Sequence, residues 1–339
     1  MEQGPPSRCH YNGRVPDLWR YPLGLLRKDH RRHSIRDRGH LTIFLMALVF
    51  ASLVGASTNR GGAGSIMAEG QPSLPASDAL RTGYLEDEAV CGGWTERILS
   101  ALWHLFAGRP DESRVARLAA VEQVWLVTKD RRRLGGYRLR AYADVNRSPR
   151  GYVLIGLGNA MLADQVVGEF TFLQADGFDV YVYDHRGYGI SEGKSRFFAI
   201  RSDYLEIIGH LNSKGYMNRF LYGMSIGGVF ILNAVGAGAV YDAALIDSPP
   251  SRVSDYGCPA RFDPVANLPQ EAPRLGFIFG HRDTVVPPSA WRELAELARA
   301  RGAAVFERRQ LAHPLMDQDA GARRSRSEIL REFFISHAR

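Results

Sequence analysis

The stretch Phe220-Leu221-Tyr222-Gly223-Met224-Ser225-Ile226-Gly227 (FLYGMSIG) decides how this chain is read. An apolar run of strand type leads straight into Gly-x-Ser-x-Gly, and a helical pattern follows from Ser225 towards Ala237. A serine at a tight strand-to-helix corner has its hydroxyl lifted clear of the sheet. Glycines two residues to either side remove side chains that would collide with the adjoining strand and helix. The hydroxyl then lies beside a helix N-terminus, whose free amides favour negative charge. The bland alternative is a glycine-rich turn with no chemistry, so the partners that a reactive serine needs must be sought elsewhere in the chain.

A serine hydroxyl is a poor nucleophile near neutral pH and needs a base. His313, in Gln310-Leu311-Ala312-His313-Pro314, lies just after the last apolar strand. The other histidines of this region fit less well. His185 follows an earlier strand, His210 falls in a helix, His281 sits just after the strand at 277–279, and His337 is near the C-terminus. An acid should follow the strand before the last helix, and Asp283, in Gly280-His281-Arg282-Asp283-Thr284-Val285-Val286-Pro287, is placed there. Its carboxylate would hold the imidazole tautomer. Asp247, at the end of the strand 243–246, is the rival acid, and Asp317 is too near His313 in sequence to be its natural partner. A developing oxyanion needs two N–H donors. The Ile226 amide supplies one, and the Asn159 amide the other, with Ala160 as its alternative.

Working outward, strands and helices alternate from Val121 on. Val121–Thr128 and Tyr137–Ala143 read as an antiparallel hairpin around a basic turn, Lys129 to Gly136. Tyr152–Leu157 is the next strand, and a helix carrying Val166, Val167, Phe170 and Leu173 stops at Gly177. Strand Val180–Tyr183 and a helix with Tyr204, Leu205, Ile208 and Leu211, stopping at Gly215, precede the quoted stretch. Strands at Ala243–Ile246, Phe277–Phe279 and Ala304–Arg309 follow it, with a helix at 289–301. A final helix is marked by Ser325 and Glu328 in capping-box spacing. This order predicts an α/β fold with a mostly parallel sheet covered on both faces and the hairpin as its antiparallel edge.

Ahead of this domain the chain has a different character. Residues 1–40 hold nine Lys/Arg against four Asp/Glu, so most of the formal charge of +7 belongs to this tail. The folded part has no basic stripe, which argues against a nucleic-acid partner. Leu41–Ser57 is a 17-residue stretch without a charge behind a basic flank. At a helical rise it spans about 25 Å, and it reads as a signal peptide or transmembrane anchor. Val54-Gly55-Ala56 offers small residues for cleavage; left in place, the segment puts the basic tail in the cytoplasm and the domain outside it. Residues 58–80 read as a flexible linker and 81–339 as the catalytic domain, opening with a helix over 93–107. The three cysteines form no metal-binding spacing, and no cofactor is implied. Cys91 and Cys258 could pair if this part is exported.

Four segments in this order resemble the α/β-hydrolase superfamily, over about residues 121–337. Leu157-Gly158-Asn159-Ala160 looks like its oxyanion loop. Asp184-His185-Arg186-Gly187-Tyr188-Gly189-Ile190-Ser191 is similar to the DxRGxGxS stretch, Gly223–Gly227 to the nucleophile elbow, and Gly280–Pro287 to the acid loop. The detail is closest to serine-peptidase-like and esterase-like members with small caps. One departure stands out: many members have His-Gly at the oxyanion turn, and this chain has Leu157-Gly158. The resemblance implies a Ser225–Asp283–His313 triad that cleaves an ester, thioester or amide through an acyl-enzyme. An acyltransferase or a non-catalytic binding protein on the same fold are the alternatives. The stretch between Asp247 and Arg274, where such proteins insert a cap, is short, which predicts a small lid and small acyl substrates.

Overall fold

Continuous apolar runs such as Tyr152–Ile155 and Phe277–Phe279 must bury both faces of their strands, and only the middle of a covered sheet allows that. The computed structural model describes residues 82–92, 107–142 and 148–339. It holds eight strands: β1 Val121–Val127, β2 Arg133–Leu139, β3 Gly151–Gly156, β4 Phe178–Tyr183, β5 Asn218–Met224, β6 Ala243–Asp247, β7 Leu275–Gly280 and β8 Ala304–Arg308. They form one sheet in the order β1-β2-β4-β3-β5-β6-β7-β8. β1 and β2 run antiparallel, β2 joins β4 antiparallel, and the remaining pairs are parallel.

Helices α1 (Phe197–Asn212), α2 (Ile226–Gly236) and α3 (Pro288–Ala300) cover one face of the sheet. Short helical turns over Ala163–Ala175 and the long helix α4 (Ala320–His337) cover the other. Within a strand the side chains alternate between the two cores. Tyr152 and Leu154 of β3 pack on the first, and Val153 and Ile155 on the second, all with no exposed surface. The eight-stranded, mostly parallel sheet with helices on both sides agrees with the expectation from sequence.

Three boundaries differ from it. β2 begins at Arg133, so Gly135 and Gly136 lie inside the strand and not in the turn. They are there because the sheet leaves no room for a side chain: a Cβ on Gly136 would meet the Val182 carbonyl oxygen at 2.2 Å. The helix expected after β3 is broken into α, 3-10 and α turns, although Val166, Val167, Phe170 and Leu173 are all buried as the pattern required. The final helix starts at Ala320, five residues before Ser325, because the Asp319 carboxylate accepts the Ala322 N–H at 2.7 Å and caps it there.

The segment between β6 and β7 folds into single helical turns, Ser254–Tyr256, Ala260–Phe262 and Pro264–Asn267. Asn233 of α2 donates to the Phe262 carbonyl, and a disulfide joins Cys258 to Cys91. Residues 1–81, with the basic tail, the apolar stretch Leu41–Ser57 and the linker, lie outside the described residues, as does the helix expected over 93–107 except for its last position. Among the described residues no helix is long and apolar enough to cross a membrane, and no cluster of side chains could hold a metal ion.

His185, after β4, is buried among Tyr188, Tyr204 and Phe230, with edge-on ring contacts to all three. Burial pushes its pKa down from 6.5 to about 4, so the ring is neutral near pH 7. In the unfolded chain the same ring takes up a proton near pH 6.5. Its contribution to stability is therefore complete above that pH and is lost as the pH falls towards 4.

Two measurements follow from this packing. In urea unfolding from pH 7 to pH 4, wild type should lose stability relative to His185→Gln by up to about 3 kcal/mol; parallel pH curves for the two proteins would contradict the buried neutral ring. Gly136→Ala should lower the melting temperature through its backbone clash. Gly209→Ala, in α1 with nothing within 4 Å of a new Cβ, should raise stability by about 1 kcal/mol.

Candidate active site

Three strand ends converge on the site. β5 runs out at Met224, and Ser225 turns the chain with φ 53° and ψ −121° before α2 begins at Ile226. That conformation is rare for a residue with a side chain and is a strained one. The corner holds because Ser225 N–H donates to the Asp247 carbonyl at 2.8 Å and the helix starts under the Ser225 carbonyl, which accepts from Gly228 at 3.0 Å. The pentad glycines are a matter of space. A Cβ on Gly223 would lie 2.5 Å from Gly228 Cα, and one on Gly227 would lie 2.4 Å from the Gly156 and Leu157 carbonyl oxygens. The quoted stretch therefore forms the strand-to-helix corner that its spacing predicts, with Ser225 half-buried at the tip.

β3 ends beside this corner. A Cβ built on Gly158 would stand 3.7 Å from Ser225 Cβ, which puts the turn Leu157–Ala160 against the serine. Of the two candidate donors there, the Ala160 amide is already bonded to Asn159 Oδ1 at 3.0 Å. The geometry therefore favours the Asn159 amide. The Ile226 amide is the first of α2 and so has no partner within the helix. Leu157 keeps its backbone in position through its N–H, which donates to the Tyr204 hydroxyl at 3.2 Å. The same hydroxyl is 3.0 Å from His185 Nε2.

β7 ends at Gly280, and the loop after it brings Asp283 to the loop after β8. Nothing but hydrogen could occupy the side-chain position at Gly280, because a Cβ would meet the Leu311 carbonyl oxygen at 2.2 Å. Arg282 N–H donates to that carbonyl at 3.0 Å, which joins the two loops edge to edge. Asp283 Oδ1 accepts from Val285 N–H at 2.9 Å and Val286 N–H at 2.8 Å. Its Oδ2 meets His313 Nδ1 at 2.8 Å. Both side chains are buried, at 2% and 4% exposure for the residues. A carboxylate oxygen accepts, so His313 Nδ1–H is the donor in this bond.

Of the sequence-predicted residues, Asp283 and His313 are brought into contact, and Ser225, Ile226 and Asn159 share the corner between β3 and β5. The rival acid is otherwise occupied. Asp247 is bonded to the Arg326 guanidinium through both oxygens, to the Tyr222 hydroxyl at 2.6 Å and to Ser248 Oγ at 3.1 Å. Asp317 likewise pairs with Arg326 Nε at 2.8 Å. Sequence reading missed Arg326, Tyr204 and Gly280. A signal for Arg326 existed: it falls on the apolar stripe Ala322, Ile329, Leu330, Phe333 of α4, where a charged side chain is out of place. An exposed apolar rim also went unread, with Val285, Leu315 and Met316 two or three residues beyond the paired acid and base.

Comparisons with known proteins bear on the fold that carries these residues. Residues 147–275 match the sequence profile of the family described as Serine aminopeptidase, S33. An uncharacterized membrane protein of Saccharomyces cerevisiae is 25% identical over 241 residues, covering 63% of this chain and 81% of that protein. Among solved structures, an α/β hydrolase of Vibrio vulnificus superposes with a TM-score of 0.57 at 17% identity, over 79% of this chain and 98% of that one. Esterase 2 of Thermogutta terrifontis, phosphorylated by paraoxon, gives 0.55 at 15% identity, over 65% and 95%. A serine hydrolase without a lid from Xanthomonas campestris gives 0.51 at 16% identity, over 63% and 95%. With its eight-stranded, mostly parallel sheet and strand-to-helix elbow, this chain has the α/β-hydrolase fold, and its residues 147–275 carry the family match.

Proposed function

We propose that this protein is a serine hydrolase that cleaves an ester, thioester or amide through an acyl-enzyme. Ser225 is the nucleophile, His313 the base and Asp283 the acid that orients it. The observation that carries the reading is the buried His313–Asp283 pair in a chain that also carries a serine in the strained elbow conformation. Ser225 Oγ attacks the carbonyl carbon and gives its proton to His313 Nε2. The carbonyl oxygen becomes an anion held by the Asn159 and Ile226 amides. His313 gives the proton to the leaving group as its bond to the acyl carbon breaks, then takes one from water as water attacks that carbon, and returns it to Ser225 Oγ as the acyl–serine bond breaks. Asp283 stabilises the imidazolium at each stage.

The rim of Val285, Leu315 and Met316 favours an apolar acyl group. The short turns between β6 and β7 suit an open site and small substrates, as in the lidless relative from Xanthomonas campestris. Phosphorylation of the Thermogutta terrifontis esterase by paraoxon suggests organophosphorus probes as reporters for this chain too. An acceptor other than water would turn the same steps into acyl transfer, and added alcohols or amines in the product analysis separate the two.

The cellular setting belongs to the same proposal. Leu41–Ser57 serves as a signal or anchor behind the basic tail, and the domain faces an oxidising compartment. The Cys91–Cys258 disulfide and the membrane-protein name of the yeast relative support this.

A fluorophosphonate probe tests the chemistry. Wild type should be labelled and Ser225→Ala should not; a Ser225→Ala protein labelled like wild type would end the proposal. Asp283→Asn should lower turnover of p-nitrophenyl acetate about 10⁴-fold, the magnitude seen when such an acid is lost with its geometry kept. Membranes washed in carbonate and gels run with and without reductant test the setting. The protein should stay in the pellet or appear secreted, and the disulfide should be present in protein taken directly from cells; a reduced, cytosolic protein would refute it.

A further inference from the structure

Resting on the proposed triad, we infer that Arg326 is a positioning residue, bracing the loop that carries His313 against the same strand end that holds the backbone of Ser225. Arg326 projects from α4, and its side chain is 8% exposed. Its Nη2 donates to the Ala312 carbonyl at 2.6 Å. Its Nε donates to Asp317 Oδ2 at 2.8 Å, and the other oxygen of Asp317 accepts the Ala312 N–H at 2.7 Å. Both peptide groups of the residue next to His313 are therefore fixed by one ion pair. Its Nη1 reaches the Asp247 carboxylate at the end of β6, and the Asp247 carbonyl accepts from Ser225 N–H at 2.8 Å. One guanidinium thus links the base loop to the nucleophile's corner through two residues.

Stability alone does not account for this arrangement. A buried ion-pair cluster of this kind can often be replaced by apolar side chains of equal volume at no loss of stability. Apolar side chains could not hold the N–H and C=O of Ala312. Lysine could not do it either, because the planar fork aims donors at Asp247, Asp317 and Ala312 at fixed angles and an ammonium does not. Asp283 fixes the Nδ1 side of the imidazole, and the Arg326 brace fixes the backbone from which the ring hangs. A displacement of about 1 Å in such a base costs up to about 10²-fold in rate.

The full-length protein and its Arg326→Gln, Arg326→Lys and Asp317→Asn variants are compared by two readouts. The first is fluorophosphonate labelling, split into its maximal rate and its half-saturating concentration. The second is the downfield Nδ1–H proton resonance of His313, assigned by its loss in His313→Gln. Arg331→Gln is the control; it lies on the same helix in an exposed pair with Asp176. Arg326→Gln should lower the maximal labelling rate about 10- to 100-fold with half-saturation within about threefold. The resonance should broaden or vanish, Arg326→Lys should not restore it, and Arg331→Gln should match wild type. A folded Arg326→Gln with wild-type rate and resonance overturns the inference, as does a rate loss that merely follows the unfolded fraction. Should Arg326→Gln fail to fold, Asp317→Asn, which keeps the Arg326–Asp247 pair, decides by the same two readouts. Labelling that persists in Ser225→Ala would tell against the catalytic reading instead, while the imidazole resonance still reports on the brace.

Discussion

The site depends on two backbones touching. Where β5 turns into α2, Gly227 lies so near the Gly156 and Leu157 carbonyls that no carbon fits between them. That contact lets α2 start directly under Ser225 and brings the end of β3 to its side. Because β3 and β5 are neighbours in the sheet, their pairing brings the turn Leu157–Ala160 beside the Ser225 corner. A second contact of the same kind at Gly280 seats the acid loop against the base loop. Both are close approaches of main chain to main chain. Their geometry is set by hydrogen-bonded strands rather than by flexible side chains, so the reacting groups stand on rigid supports.

Charge is buried in the same way at two places in the sheet. Arg186, fully buried, faces Asp130, Asp203 and Glu86, and Arg132 closes the cluster on Glu86. This holds the segment Tyr84–Glu86 to the sheet at the end away from the base loop. Burial disfavours the charge on Arg186, and the surrounding carboxylates outweigh that and raise its pKa. Arg326 stands in the same situation between Asp247 and Asp317. Each arginine is an expensive group to bury, and each ends up with carboxylates on more than one element of structure. Such clusters fix register between elements, which an apolar contact of the same area does less sharply.

Most of the sheet could be read from the sequence because parallel strands buried on both faces leave continuous apolar runs. The strand-to-helix corner at Ser225 and the meeting of the loops that carry Asp283 and His313 could be read because their spacing follows the strand order. What escaped was whatever depends on contact across the sheet. Gly135 and Gly136 look like turn residues until β4 is seen pressed against them. The break in the helix over Ala163–Ala175 has no local signal; it follows from bonds such as Ala163 N–H to Asp184 Oδ1 at 2.7 Å, a partner 21 residues away. Ser325 and Glu328 have capping-box spacing, but Asp319 is nearer the true end and captures the Ala322 amide first. The pairing of Cys91 with Cys258 required a separation of 167 residues to close, which spacing alone never specifies.

Two carboxylates competed for the acid role, and the counter-charge decides between them. Asp247 sits at the end of β6, a strand nearer the nucleophile than Asp283. It is paired with Arg326 and bonded by Tyr222 and Ser248 as well. A carboxylate whose lone pairs are committed to a fixed cation has little left to offer a second partner. Asp283 is held by two amides on one oxygen, which fix its direction without neutralising it. Its other oxygen is left for His313. The same guanidinium that engages Asp247 also binds the Ala312 carbonyl, next to His313. Sequence order alone ranks the two acids by position; the buried arginine separates them by chemistry.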